Sequence, residues 1–167
     1  QTLCNGAATT AINFSGTVTG TTFSWTNNNT ATGLAASGTG NIPSFTATNT
    51  SSAAITSAIV VTPSANTCNG SPQTFLITVN PTPIVNAVTN VTACTGTNVA
   101  AITFSGGVTG TTYSWTNSNT AIGLAASGTG NIAAFNATNA TASDIVSTIT
   151  VTPTASTCTG TATTFTI

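Results

Sequence analysis

Residues 55–63 read Ile-Thr-Ser-Ala-Ile-Val-Val-Thr-Pro, and residues 145–153 read Ile-Val-Ser-Thr-Ile-Thr-Val-Thr-Pro. In both stretches Ile, Ser, Ile and Val stand at every second position, so they fall on one face of an extended chain. The Thr, Val and Ile content suits a pleated, half-buried surface. Residues 22–26, Thr-Phe-Ser-Trp-Thr, alternate in the same way. These patterns predict β-strands, and no segment has the periodicity of a helix.

The whole sequence repeats itself with a shift of 90 positions. When residues 4–77 are laid over residues 94–167, 46 of the 74 aligned positions are identical and no gap is needed. A match of this strength predicts two copies of one domain. Two prolines, Pro81 and Pro83, favour an extended connector between the copies. We therefore expect domains at residues 1–80 and 81–167, of which the second is incomplete at its C-terminus relative to the first.

Each copy carries about six or seven short strands in roughly 80 residues, with a Trp on an early central strand, which describes an immunoglobulin-like sandwich. The predicted fold class is all-β, with two tandem immunoglobulin-like β-sandwich domains. A small closed barrel is the alternative. Trp25 and Trp115 lie within alternating strands and are predicted to anchor the cores. Phe14 and Phe104 are assigned the same role.

The composition argues against catalysis, metal binding and nucleic-acid binding. The chain has no Lys, Arg or His, and Asp144 is its only acidic residue. The side chains that perform general acid/base and nucleophilic catalysis are therefore almost absent. The chain also has too few ligands for Ca²⁺ or Zn²⁺. Without cations nothing neutralises phosphates, so nucleic acid is a poor partner. No apolar run approaches the roughly 20 residues of a spanning helix. We expect no enzyme activity, no cofactor, no metal and no membrane insertion.

Two cysteines occur in each copy, one near its start and one near its end. The economical pairing is Cys4–Cys68 and Cys94–Cys158, each within one copy, whereas other connectivities would cross between the copies. Such bridges would place the protein in an oxidising compartment. Buried free thiols in a cytosolic domain are the alternative.

Several motifs together resemble one family. They are residues 24–27 (Ser-Trp-Thr-Asn), 33–43 (Gly-Leu-Ala-Ala-Ser-Gly-Thr-Gly-Asn-Ile-Pro), 61–63 (Val-Thr-Pro), 68–70 (Cys-Asn-Gly) and 78–83 (Thr-Val-Asn-Pro-Thr-Pro). The chain is similar, twice over, to the PKD-like repeats of very long secreted bacterial surface proteins. The resemblance implies tandem sandwiches in an extracellular stalk, adhesin or fibre. Because Thr26 and Asn27 replace the acidic residues that follow the Trp in better-known PKD domains, calcium or carbohydrate activity is not carried over.

The two copies differ at their starts. An apolar run at residues 83–88, Pro-Ile-Val-Asn-Ala-Val, precedes copy two and is predicted to form its first strand, while no such run precedes copy one in this sequence. One explanation is that 167 residues are a window cut from a longer array. The other is that a neighbouring subunit supplies the strand by β-augmentation.

The predicted function is structural: a component of an extracellular fibre, filament or cell-surface stalk, secreted or attached to the cell surface. Its expected partners are copies of itself, because a β protein without edge charges tends to associate. The alternative is an adhesin module that binds glycan or another surface. Ice binding through Thr arrays is a third class, but the Thr-x-Thr units are too scattered to favour it.

Overall fold

The computed structural model describes all residues from 1 to 167 and confirms the all-β fold class. The chain divides into two compact units, Gln1–Pro81 and Thr82–Ile167. Unit 1 contains β1 (Thr2–Cys4), β2 (Thr22–Asn27), β3 (Ser37–Thr39), β4 (Ile55–Ala65), β5 (Cys68–Asn69) and β6 (Gln73–Asn80). Unit 2 contains β7 (Asn98–Val99), β8 (Thr112–Asn117), β9 (Ser127–Thr129), β10 (Phe135–Asn136), β11 (Thr148–Ala155), β12 (Cys158–Thr159) and β13 (Thr163–Thr166).

The main sheet of unit 1 has the order β1-β6-β4-β2-β3, and β5 pairs with the end of β4. All of these pairs are antiparallel except β1 with β6, which run parallel. Two isolated bridges, Ala8 with Thr46 and Ile12 with Ile42, join the segments that form the opposite layer. Hydrophobic side chains from both layers meet between them, as expected of a sandwich.

Unit 2 repeats this architecture. Its main sheet joins β11 to β8, β12 and β13, and β9 pairs with β8, while β7 and β10 form a small second sheet. The strand predicted from residue 145 begins only at Thr148. The reason lies in the partner strand: β13 ends at Thr166 and the last backbone pair joins Ser147 to Ile167. In unit 1 β6 continues to Asn80, so β4 is paired from Ile55 onwards.

Each core is built around a tryptophan. Trp25 and Trp115 are each 7% exposed, and each indole lies across a glycine of the neighbouring strand, Gly38 or Gly128. A Cβ on either glycine would lie only 2.6 Å from indole Cε2, so the space is already taken by the ring. Phe104 is also buried, whereas Phe14 is half-buried and packs at the edge of its core.

A buried asparagine in each unit fixes the chain after the Trp strand. In unit 2, the Asn117 side-chain nitrogen donates to the carbonyls of Leu124 (2.9 Å) and Ala125 (3.1 Å). Its oxygen accepts from the Asn119 backbone N–H at 3.1 Å and from the Ser147 hydroxyl. Asn27 makes the matching bonds to residues 34 and 35 in unit 1. These bonds satisfy buried backbone groups that have no strand partner.

We expect Asn117→Ala to destabilise unit 2 by about 2–4 kcal/mol, because several buried groups lose their partner at once. Denaturant unfolding, with each unit followed separately by hydrogen exchange, would measure the loss. Thr161→Ala, at an exposed loop position of the same unit, is the control and should stay within about 0.5 kcal/mol of the parent. Equal effects of the two substitutions would contradict this role for Asn117.

Candidate functional site

In unit 2, the segment at residues 83–88, here called the leading segment, lies in a groove of its own sandwich. Val85 is 8% exposed and belongs to the hydrophobic core together with Phe104. The Asn86 backbone N–H donates to the Ser105 carbonyl at 2.8 Å, and the Asn86 side-chain nitrogen is 3.0 Å from the Ser105 hydroxyl. Ile84 on the opposite side is 53% exposed. The prediction that residues 83–88 form the first strand of unit 2 is therefore wrong. The segment has alternating burial and one backbone hydrogen bond to Ser105, but it forms no ladder with a neighbouring strand.

Two glycines make room for this segment. A Cβ on Gly160 would overlap the Pro83 carbonyl, and a Cβ on Gly106 would overlap the Ile84 carbonyl. Both contacts are between backbones, so neither can be relieved by turning a side chain. The leading segment therefore sits closer to the sandwich than any larger residue at these positions would allow.

In unit 1 a cavity lies at the equivalent surface. The cavity has a volume of about 650 Å³, and its lining includes Phe14, Phe23, Pro63 and Gly70. At Gly70 a Cβ would meet only Pro63, with Cγ at 3.0 Å. The positions equivalent to the leading segment would lie ahead of Gln1. Phe14, which lines this cavity, is half-buried, whereas its equivalent Phe104 is 7% exposed.

The chain crosses the sandwich of unit 2 from one end to the other. In unit 2, Pro83 lies beside Gly160, next to the β11–β12 hairpin, whereas Ile167 bonds to Ser147 just before the start of β11. The seven-residue advance along β11 separates these points by about 23 Å. In unit 2, Pro83 and Ile167 thus lie at opposite ends of the sandwich. In unit 1, the first residues pair with the end of β6, with Thr2 opposite Thr78.

The predicted cysteine pairs, Cys4–Cys68 and Cys94–Cys158, are wrong. Cys68 and Cys94 carry free, exposed thiols, whereas Cys4 and Cys158 are disulfide-bonded. The reason is strand length. Cys4 pairs with Asn80 near the start of β4, and Cys68 pairs with Ala65 at its end. Ten residues of strand separate those ends by about 33 Å, while a disulfide needs Cα atoms within about 7 Å.

The remaining polar candidates do not form a site. Asp144 is exposed, and no group of three or more His, Cys, Asp or Glu side chains lies close enough together to hold a metal ion. No helix is both long and apolar enough to span a bilayer. The groove was missed by sequence reasoning, although a signal was present: Gly16, Gly70 and their equivalents Gly106 and Gly160 are identical in the two copies.

The comparisons with known proteins identify the module. No curated protein matches the chain. The family model of the PKD-like domain matches residues 1–83, which cover unit 1 and the connector. Domains of this kind are extracellular immunoglobulin-like modules that are generally non-catalytic. Unit 2 repeats the sequence and architecture of unit 1. Residues 1–83 belong to the PKD-like domain family, as the motifs around Trp25 predicted.

Proposed function

We propose that the chain is a structural component of an extracellular fibre, filament or cell-surface stalk built from tandem β-sandwich repeats, in which one repeat donates a strand to the next. The observation that carries this proposal is that Pro83 and Ile167 lie at opposite ends of unit 2. A polypeptide that enters at one end and leaves at the other gains length with every repeat. A module with both termini at one end would not.

The bonding at the end strands suits a load along the chain. In unit 1, β1 and β6 are parallel neighbours, with Thr2 opposite Thr78 and Cys4 opposite Asn80. Tension that pulls β1 backwards and β6 forwards slides the two strands along each other. The hydrogen bonds between them then share the load and must break together. In unit 2 the Val91 backbone N–H donates to the Thr166 carbonyl at 2.9 Å, which continues the same arrangement.

The composition supports a durable role outside the cell. Without Lys and Arg the chain has no cleavage site for trypsin-like proteases, and it contains a disulfide, which persists in oxidising compartments. Its net charge of −1 leaves little repulsion between copies. Copies of the same repeat are therefore the proposed partners. A glycan-binding adhesin is the second function considered; its test is a glycan array, but no exposed aromatic platform or carboxylate cluster favours it.

Single-molecule pulling tests the load-bearing role on the 167-residue chain. Handles at residues 2 and 80 should load β1 against β6 in shear, and the mean unfolding force of unit 1 should be high. Handles at residues 54 and 80 are the control, because they pull β4 and β6 apart from one end so that bonds break one at a time. Equal forces in the two geometries would contradict a load-bearing design.

A further inference from the structure

We infer that the outward face of the main sheet of unit 2 binds the ordered water at the surface of an ice crystal. Every residue of β8, β9, β11, β12 and β13 that points away from the core is Thr or Ser. The central strand β11 contributes Thr148, Thr150, Thr152 and Thr154. The outward Thr and Ser residues of these five strands are here called the hydroxyl face. This inference goes beyond the proposed structural role and does not depend on it.

Strand pairing arranges the side chains of the hydroxyl face in rows. One row crosses four neighbouring strands and contains Thr164, Thr150, Thr116 and Ser127. Neighbouring side chains are about 4.8 Å apart across the strands and about 6.7 Å apart along them. Water molecules at an ice surface repeat at distances of the same order. Thr-x-Thr units that are too scattered in the sequence to favour ice binding are thus brought together in one two-dimensional array.

The hydroxyl groups of this face are available to water. Only Thr112 uses its hydroxyl within the chain, where it donates to the Thr154 carbonyl at 3.2 Å. Each hydroxyl can donate one hydrogen bond and accept two. The methyl group beside each Thr hydroxyl restricts the orientation of the water that it contacts. A row of such side chains therefore holds water molecules at regular intervals.

The hydroxyl face carries no charge and no large apolar side chain. Asp144, the only charged side chain of the protein, lies in the loop before β11. A charge on the face would orient a shell of water around itself and compete with the lattice of ice. An ice surface is likewise uncharged and presents both donors and acceptors, so the two surfaces are complementary. The face has no aromatic platform for a sugar ring and no apolar patch for a second protein.

Unit 1 provides the comparison, because its equivalent face is interrupted. Its residues at the positions equivalent to Thr148, Thr150 and Thr166 are Ala58, Val60 and Leu76. Leu76 is 55% exposed, so an apolar side chain stands in solvent where the array would otherwise continue. The array is continuous in unit 2, and the ice-binding site is therefore assigned to that unit.

The test is the thermal hysteresis of the full 167-residue chain, measured as the gap between the melting and freezing points of a single ice crystal. We expect a measurable gap and faceted crystals. The triple variant Thr148→Ala, Thr150→Val, Thr166→Leu should lose both effects. It should remain folded, because unit 1 carries these residues at the equivalent positions. Thr161→Val, at an exposed loop position outside the hydroxyl face, is the control and should keep the gap of the parent.

Ser114→Lys is a second variant, which places a charge within the hydroxyl face and should also abolish the gap. Thermal unfolding checks that each variant is folded. A parent chain with no hysteresis and no effect on crystal shape would overturn the inference. Equal hysteresis of the parent and both folded variants would do the same. If the parent shapes no ice and the triple variant changes the oligomeric state in sedimentation, the face is a contact between copies instead.

This result is separate from that of the pulling experiment. Hysteresis together with equal unfolding forces in the two pulling geometries would remove the load-bearing role and leave the ice-binding site standing.

Discussion

Gly128→Val should destabilise unit 2 by more than about 3 kcal/mol, one of the two largest effects expected of a single substitution. The position is filled by the Trp115 ring, and a Cβ there would already lie within 2.6 Å of indole Cε2. The ring cannot move far, because it is 7% exposed and packed within the core of unit 2. Thermal and denaturant unfolding, with hydrogen exchange resolved for each unit, would measure the loss.

Gly107→Thr is the matched control for this substitution. A Cβ at Gly107 meets no atom within 4 Å, and unit 1 carries Thr17 at the equivalent position. We expect a change within about 0.5 kcal/mol. Unit 1 should remain at its parent stability in both variants. A Gly128→Val protein as stable as the Gly107→Thr protein would show that the Trp115 site can repack, contrary to the expectation.

The second large effect separates the two grooves. Gly160→Val should cost unit 2 about 2–4 kcal/mol, because the new side chain collides with the Pro83 carbonyl and displaces the leading segment from the core. Gly70→Val, the equivalent change in unit 1, should cost less than about 1 kcal/mol, because only Pro63 stands nearby and can shift slightly. The same unfolding and exchange measurements apply to both.

The informative quantity is which of the two variants loses more unfolding free energy. Equal losses would mean that the leading segment adds little to the stability of unit 2. A larger loss from Gly160→Val would show that residues 83–88 are an integral part of a complete repeat.

The periodicity and the internal repeat of the sequence were sufficient to predict the fold class. Alternation at residues 55–63 reported strands because side chains on a pleated chain point to opposite faces, whatever the rest of the fold does. The strand predicted at residues 145–153 began late, since a strand also needs a bonded neighbour and β13 pairs no further than Ser147. Local pattern reveals the tendency of a segment, while its length in the sheet depends on the partner.

What the sequence determined by itself is therefore the two-fold repeat, the all-β modules and the near absence of ionisable chemistry, because these are properties of residue order and composition. Only the tertiary structure decided the state of Cys68 and the existence of the groove. Spacing along the chain does not reveal that Cys4 and Cys68 lie at opposite ends of one long strand. The positions of Gly16 and Gly70 in the sequence also do not show that both line one groove. The groove forms only where segments that are distant in the sequence pack against each other.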